Sequence, residues 1–344
     1  MNTPGSTKEI CIKDFYGEIE IKSNNKFSEF SSNVKEISSL SRAPVPNGLT
    51  IGSIVNLTGD VGKTTLAFNL AFYLRNTLII DLDPQGVLTS LLNEQKKPLT
   101  VTSYDYIAPY ILSNKEKPTP VRYSIEQLSK YFTGTRNILI PSSEQLYDLP
   151  SQIYSVLNKI KTFPEREQET LFNYINDSLN LSILDFWKEI DKVNINKCLI
   201  DTSAYYPGAT KLAIEASNFL IVPMSLTLTA LHAFNTLIEI LKGIYRKEGR
   251  SNYPVFKALV FYSDNPNVDY FKEYMELIKK IVENNPYFFD KAFQVILMYG
   301  LKDYSYFMLS KKMPIGSLID EEPSESAINK AHSAFQKLAR SLFS

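Results

Sequence analysis

Along most of this chain, short apolar runs of strand-like character alternate with longer stretches of helical period. Buried strands are expected at Ile51–Asn56, Thr77–Ile80, Asn137–Ile140, Lys197–Asp201, Asn218–Pro223, Phe256–Tyr262 and Gln294–Leu297. They are apolar on both faces, as strands of a covered parallel sheet are. Helices are expected between them, at Leu66–Leu74, Tyr104–Leu112, Ile125–Phe132, Ser151–Ile160, Glu165–Ile190, Thr229–Tyr245, Val268–Asn284 and Glu325–Phe343. The stripe Leu231, Phe234, Leu237, Ile238 and Leu241 marks the buried face of one; Ile328, Ala331, Phe335, Leu338 and Leu342 mark that of the last. The alternation predicts an α/β fold with a mostly parallel, twisted sheet flanked by helices and right-handed crossovers.

The first 48 residues stand apart. Within Glu9–Lys22, Ile19 and Ile21 alternate with Glu around a turn-like Asp14–Gly17, which predicts a small hairpin. Ser23–Ser41 is Ser/Asn-rich and reads as a linker with a short helix, and Pro44, Pro46 and Asn47-Gly48 punctuate the boundary. The expected division is an extension, 1–48, and a principal domain, 49–344. The extension is either an arm onto a partner or a packed edge strand, with packing the default.

Composition narrows the function classes. With 37 Lys+Arg against 37 Asp+Glu in 344 residues, the chain has no global pull toward nucleic acid or membrane, so such binding needs a local patch. Cys11 and Cys198 lack a C-x-x-C spacing, and Cys198 lies in an apolar run, so a buried structural thiol is expected. A reducing, cytoplasmic setting fits. The polar start, Met1–Glu9, does not read as a signal peptide, and no apolar run reaches the ~20 residues that span a bilayer.

The chemistry centres on Thr58-Gly59-Asp60-Val61-Gly62-Lys63-Thr64-Thr65, with a strand before it and a helix after it. That context is what a phosphate-binding loop requires. Backbone N–H groups wrap the phosphates, the lysine reaches the terminal ones, the threonine hydroxyl ligates Mg²⁺, and the helix adds its positive end. Further on, Asp81-Leu82-Asp83-Pro84-Gln85-Gly86 and Ile200-Asp201-Thr202 put carboxylates at the ends of apolar runs, where a parallel sheet binds ligands.

Asn56–Thr65 resembles the deviant Walker A box of the ParA/MinD ATPases, Lys-Gly-Gly-x-Gly-Lys-Thr-Thr. Asp81–Gly86 is similar to the next motif of the ParA branch, and Ile200-Asp201-Thr202 resembles its Walker B. Val222-Pro223 and the Pro314 region also fit, so the resemblance runs from Ile51 to the C-terminus. It implies a P-loop NTPase of the SIMIBI type, with ATP and Mg²⁺ as cofactors. It also implies a homodimer closed around two ATP molecules and opened by hydrolysis. Gly59, Asp60, Val61, Gly62, Lys63, Thr64, Thr65 and Pro223 would bind nucleotide. Thr64 would ligate Mg²⁺, with Asp81 and Asp201 holding it through water; Lys63 and Asp83 would be catalytic, Asp83 positioning the attacking water.

Two positions depart from the pattern. Thr58 replaces the family's first lysine, which crosses the dimer, and Asp60 replaces its second glycine. Asp tolerates unusual φ, so the loop can still form. Lys211 is the candidate to replace the missing charge. The carboxysome-positioning, McdA-like branch is the one whose loop departs similarly. Ser203-Ala204 stand where Walker B usually has prolines.

The resemblance further implies nonspecific DNA binding over the nucleoid and a ParB-like or McdB-like adaptor. Candidate DNA contacts are Arg246, Lys247, Arg250, Lys330, Lys337 and Arg340, with Lys311 and Lys312 beside them. The closing helix reads as packed rather than membrane-bound. His232 and His332 lack partners at metal spacing and read as structural. The expected function is positioning of a plasmid, chromosome region or protein cargo. The alternatives are a metabolic ligase of the dethiobiotin synthetase type on the same scaffold, or a hydrolysis-deficient nucleotide-binding module. An iron–sulfur reductase is disfavoured, because bridging cysteines are absent.

Overall fold

The computed structural model describes residues 10–13, 18–21, 48–112, 116–161, 168, 172, 175–190, 194–204, 206–248, 253–263, 268–299, 310–317 and 326–343. Its strands are β1 (Ile10–Lys13), β2 (Glu18–Ile21), β3 (Thr50–Ile54), β4 (Thr77–Leu82), β5 (Tyr123–Ser124), β6 (Ile138–Ile140), β7 (Lys197–Thr202), β8 (Phe219–Met224), β9 (Val255–Ser263) and β10 (Phe289–Tyr299). The helices are α1 (Lys63–Tyr73), α2 (Val87–Leu92), α3 (Ser103–Ile111), α4 (Ile125–Leu128), α5 (Leu149–Ile160), α6 (Ser178–Ile190), α7 (Lys211–Ala216), α8 (Leu228–Glu248), α9 (Val268–Asn284) and α10 (Ser326–Leu342).

The strands form one sheet in the order β1-β2-β10-β9-β8-β3-β7-β4-β6-β5. From β10 to β6 every pairing is parallel; β5 closes one edge antiparallel, and the hairpin β1–β2 extends the other, through Glu20 and Ile19 opposite Gln294 and Val295. The described part of the N-terminal extension is thus a packed edge. The short helix expected in Ser23–Ser41 lies outside the described residues. Of the helix expected over Glu165–Ile190, α6 is its C-terminal half, set off by a turn at Asp177. The strand β5 and the short helices α2 and α7 carry too few residues to show a period, and the sequence did not announce them.

Helices cover both faces of the sheet. On one, α1 and α10 bury Phe68, Leu70, Phe335 and Leu338 against Ile79, Leu199, Ile221 and Val260. On the other, α8 and α9 pack Phe234, Leu237 and Tyr274 near Leu220, Leu259 and Val295, while α3, α6 and α7 cover Ile80, Cys198 and Ile200. Removing each such large apolar side chain from water contributes about 1.5–3 kcal/mol. In the centre of β3, Gly52 is required by close approach, since a Cβ there would run into the Phe219 ring. This packing brings the carboxyl ends of β8, β3, β7 and β4 side by side. The connection from β3 passes over β7 to reach β4, and the phosphate-loop sequence lies in it.

Candidate nucleotide site

The loop after β3 is held by its own side chains. Asn56, fully buried, donates from Nδ2 to the Pro223 carbonyl (2.7 Å), which ties the loop's start to the end of β8. Its Oδ1 accepts from the Thr58 N–H (2.8 Å) and the Thr58 hydroxyl (2.7 Å). The residue in place of the family's lysine therefore turns back on its own loop. Asp60 adopts φ 55° and Gly62 φ 83°, so the left-handed conformation anticipated for Asp60 is present. No side chain caps the N-terminus of α1 and no acidic residue lies in its first turn. Those amides are left for an anion. Lys63 is buried and donates from Nζ to the Thr58 carbonyl (2.9 Å). Burial lowers its pKa; Asp201, Asp83 and Asp60 push it back up.

Asp81 and Asp201 are direct partners in the β4–β7 register, both fully buried. Asp81 Oδ1 accepts from the Asp83 N–H (3.0 Å), and Oδ2 from the Thr89 N–H (2.8 Å) and hydroxyl (2.7 Å). Neither oxygen of Asp201 has a hydrogen bond of good geometry. Burial pushes the Asp81 carboxyl up to about 6, partly offset by the Thr89 bonds. Burial, and then Asp81, push Asp201 well above the usual carboxylate range; the Thr64 hydroxyl and Lys63 pull it down. Asp83 accepts from the Gln85 N–H (3.0 Å) in a turn that leads to Gly86 and α2.

A buried carboxylate with unfilled acceptor sites, beside a second carboxylate and a threonine hydroxyl, suits a hard divalent cation. Among the described residues no group of three or more His, Cys, Asp or Glu side chains could hold a metal by itself. An ion here needs further oxygens, such as phosphates and water.

The structure brings Gly59, Asp60, Val61, Gly62, Lys63, Thr64, Thr65, Asp81, Asp83, Asp201 and Pro223 to one edge of the sheet. Lys211 is engaged elsewhere: its Nζ lies 2.7 Å from both Glu215 Oε1 and Asn176 Oδ1. Within this subunit its charge serves that ion pair. After Asp201 the chain makes a π-turn, Tyr206–Thr210, and Gly208 (φ 83°) packs on Pro150 of α5. Lys330, Lys337 and Arg340 are exposed on α10, Arg246 and Lys247 lie near the end of α8, and Arg250 falls outside the described residues. His332 sits beside Tyr73, 2.8 Å from its hydroxyl, and Cys198 is a buried thiol whose pKa burial raises. Among the described residues no helix is long and apolar enough to cross a membrane.

Sequence reasoning missed Thr89, Ser142 and Tyr262. Thr89 lies eight residues past Asp81 with no motif to mark it, and Ser142 follows a different strand. Tyr262 reads as one more apolar residue at the end of β9, yet its ring packs against Gly62.

Residues 49–253 match the AAA_31 family, described as an AAA domain. A Methanocaldococcus jannaschii protein, itself uncharacterized, is 25% identical over 69% of this chain and 82% of its own length. The chromosome partitioning protein ParA of Myxococcus xanthus is 39% identical over 82 residues, which is 22% of this chain and 29% of that protein. Among solved structures, the ATP complex of a Cyanothece McdA variant superimposes with a TM-score of 0.58 at 15% identity, covering 86% of this chain and 96% of that one. The fold is that of a ParA-like P-loop NTPase, and the chain belongs to the AAA_31 family, within the ParA/MinD group of nucleotide-binding proteins.

Proposed function

We propose that this chain is an ATP-dependent, dimerising ATPase that positions a plasmid, chromosome region or protein cargo over nucleoid DNA in the cytoplasm. The observation that carries the reading is the convergence at one sheet edge of an uncapped helix N-terminus, a buried lysine and a pair of in-register buried carboxylates.

The amides of Gly59–Thr65 and the end of α1 bind phosphate oxygens, and Lys63 faces the terminal phosphates. Leaving its present acceptor, the Thr58 carbonyl, for a phosphate costs little, because both are oxygen acceptors at the same loop. Thr64, Asp81 and Asp201 would hold Mg²⁺, which neutralises phosphate charge when bound. Asp83 orients the attacking water in line with the leaving group, and the products are ADP and phosphate. Pro223, fixed through Asn56, borders the nucleotide. Lys330, Lys337 and Arg340 recur along one exposed stripe of α10 and supply phosphate contacts to DNA in the closed dimer, with Arg246, Lys247 and Arg250 as secondary contacts. A ParB-like or McdB-like adaptor links the dimer to cargo.

The test is the oligomeric state by light scattering with Mg·ADP, with Mg·ATP, and for Asp83→Ala with Mg·ATP, together with turnover with and without DNA. ATP-dependent dimers, trapped by Asp83→Ala, and slow turnover are expected. A chain that stays monomeric and has no affinity for Mg·ATP overturns the reading. Turnover that requires a small-molecule co-substrate moves it to a metabolic ligase.

A further inference from the structure

We infer that Thr89, clamped by Ser142, is the positioning residue that fixes the Asp81 carboxylate for a single cation-bound water. The inference rests on the ATPase reading of the same site.

The hydrogen bonds form a closed ring through three elements. The Thr89 hydroxyl donates to Asp81 Oδ2 (2.7 Å) and accepts from the Ser142 N–H (2.9 Å). The Ser142 hydroxyl donates to the Asp83 carbonyl, and the Asp83 N–H donates to Asp81 Oδ1 (3.0 Å). The end of β4, the start of α2 and the segment after β6 are thereby locked together. The direction of the Thr89 O–H is set by its partners: the ionised Asp81 carboxylate can only accept, and the Ser142 N–H can only donate.

The consequence for Asp81 is one of counting. An ionised carboxylate offers about four acceptor sites. Three are filled by the Thr89 N–H, the Thr89 hydroxyl and the Asp83 N–H. One remains beside its register partner Asp201, whose oxygens have no hydrogen bond of good geometry. A carboxylate held on both oxygens cannot swing to chelate an ion directly. It can accept one hydrogen bond from a water on that ion. Ser142 also holds the main chain of Asp83 from its carbonyl side, so the same clamp sets both acidic residues of the Asp81–Gly86 turn. Orientation of ligating carboxylates by such outer partners typically accounts for 10–100-fold in metal affinity.

The experiment measures the affinity of a fluorescent ATP analogue with saturating EDTA and across a Mg²⁺ titration, for the wild type, Thr89→Val, Thr89→Ser and Ser142→Ala. Binding is read directly, without turnover. Thr89→Val, which keeps the shape and the N–H but loses the hydroxyl, should raise the half-saturating Mg²⁺ at least tenfold and leave the EDTA affinity unchanged. Thr89→Ser should stay within about threefold of wild type, and Ser142→Ala should fall between the two. If Thr89→Val does not fold, Thr89→Ala gives the same comparison. A Thr89→Val chain with wild-type Mg²⁺ dependence, or a Thr89→Ser chain as impaired as Thr89→Val, overturns the assignment. A wild-type chain that gains no nucleotide affinity from Mg²⁺ overturns the ATPase reading, and this inference with it.

Discussion

Replacing Gly62 by alanine should damage the loop through one identifiable neighbour. Gly62 has φ 83° and ψ 26°, a left-handed conformation that costs an L side chain about 1–2 kcal/mol. Stiffening the unfolded chain returns about 0.4–1 kcal/mol. The new methyl would also lie 2.7 Å from Tyr262 Cε2 and 3.1 Å from Cδ2, inside contact distance. Overpacking of that kind costs about 1–3 kcal/mol. The net expectation is roughly 2–4 kcal/mol of destabilisation from these three effects. A double-mutant cycle with Tyr262→Leu separates them: without the ring, Gly62→Ala should cost only about 1 kcal/mol, leaving a coupling of about 1–3 kcal/mol. Urea midpoints at constant m-value, in nucleotide-free buffer, read these differences. If Gly62→Ala costs the same in both backgrounds, Tyr262 does not brace the loop and the reasoning fails.

The nucleotide-free chain should lose stability as pH rises from about 4 through about 6, because Asp81 titrates near 6 when folded and near 3.8 when not. Its folded carboxyl binds the proton more tightly, so that contribution is complete below the lower value and gone above the higher; the displacement is worth on the order of 3 kcal/mol. Denaturation midpoints from pH 4 to 7.5 should fall accordingly, and a curve that rises instead refutes the sign. Asp201→Asn removes a buried carboxylate whose oxygens lack hydrogen bonds of good geometry, so it should raise Mg²⁺-free stability at pH 7.5 by about 1–3 kcal/mol while abolishing the Mg²⁺-dependent gain in nucleotide affinity. Tyr262→Phe deletes a buried hydroxyl without a partner and should be neutral or stabilising by about 1 kcal/mol in thermal unfolding. Gly52→Val drives its side chain into Phe219 and should cost about 1–3 kcal/mol, a cost that Phe219→Leu in the same chain lessens.

The central sheet was legible because its strands are apolar on both faces and the longer helices between them carry a clear stripe. Thr77–Leu82, Lys197–Thr202 and Phe219–Met224 appear within a residue or two of their expected bounds. The site was legible where its chemistry is contiguous: glycine, lysine and threonine in one loop, and two aspartates closing one strand. What was hidden is non-local. No local pattern says that Ser142 reaches Thr89, 53 residues away, or that a tyrosine on β9 meets Gly62. Nor does local pattern show that Lys211, after the Walker B strand, pairs within the subunit with the buried Glu215 one helical turn on.

Hydrogen bonding inside the loop explains how the departure at Thr58 is accommodated. A lysine there would have to leave the loop to meet a partner's phosphates, whereas the threonine hydroxyl is spent inside it, on Asn56 Oδ1. Asn56 uses its remaining donor on the Pro223 carbonyl, so the loop is braced against β8 before any ligand arrives. The cost falls on electrostatics. Lys63 is the buried cation that faces Asp60, Asp83 and Asp201, and its own burial opposes its charge. The nucleotide-free site therefore holds more negative than positive charge at the place where a triphosphate would bring still more. A divalent cation beside Asp81 and Asp201 offsets that excess, and in this chain nucleotide binding should depend on that ion more steeply than in a relative that keeps its first lysine.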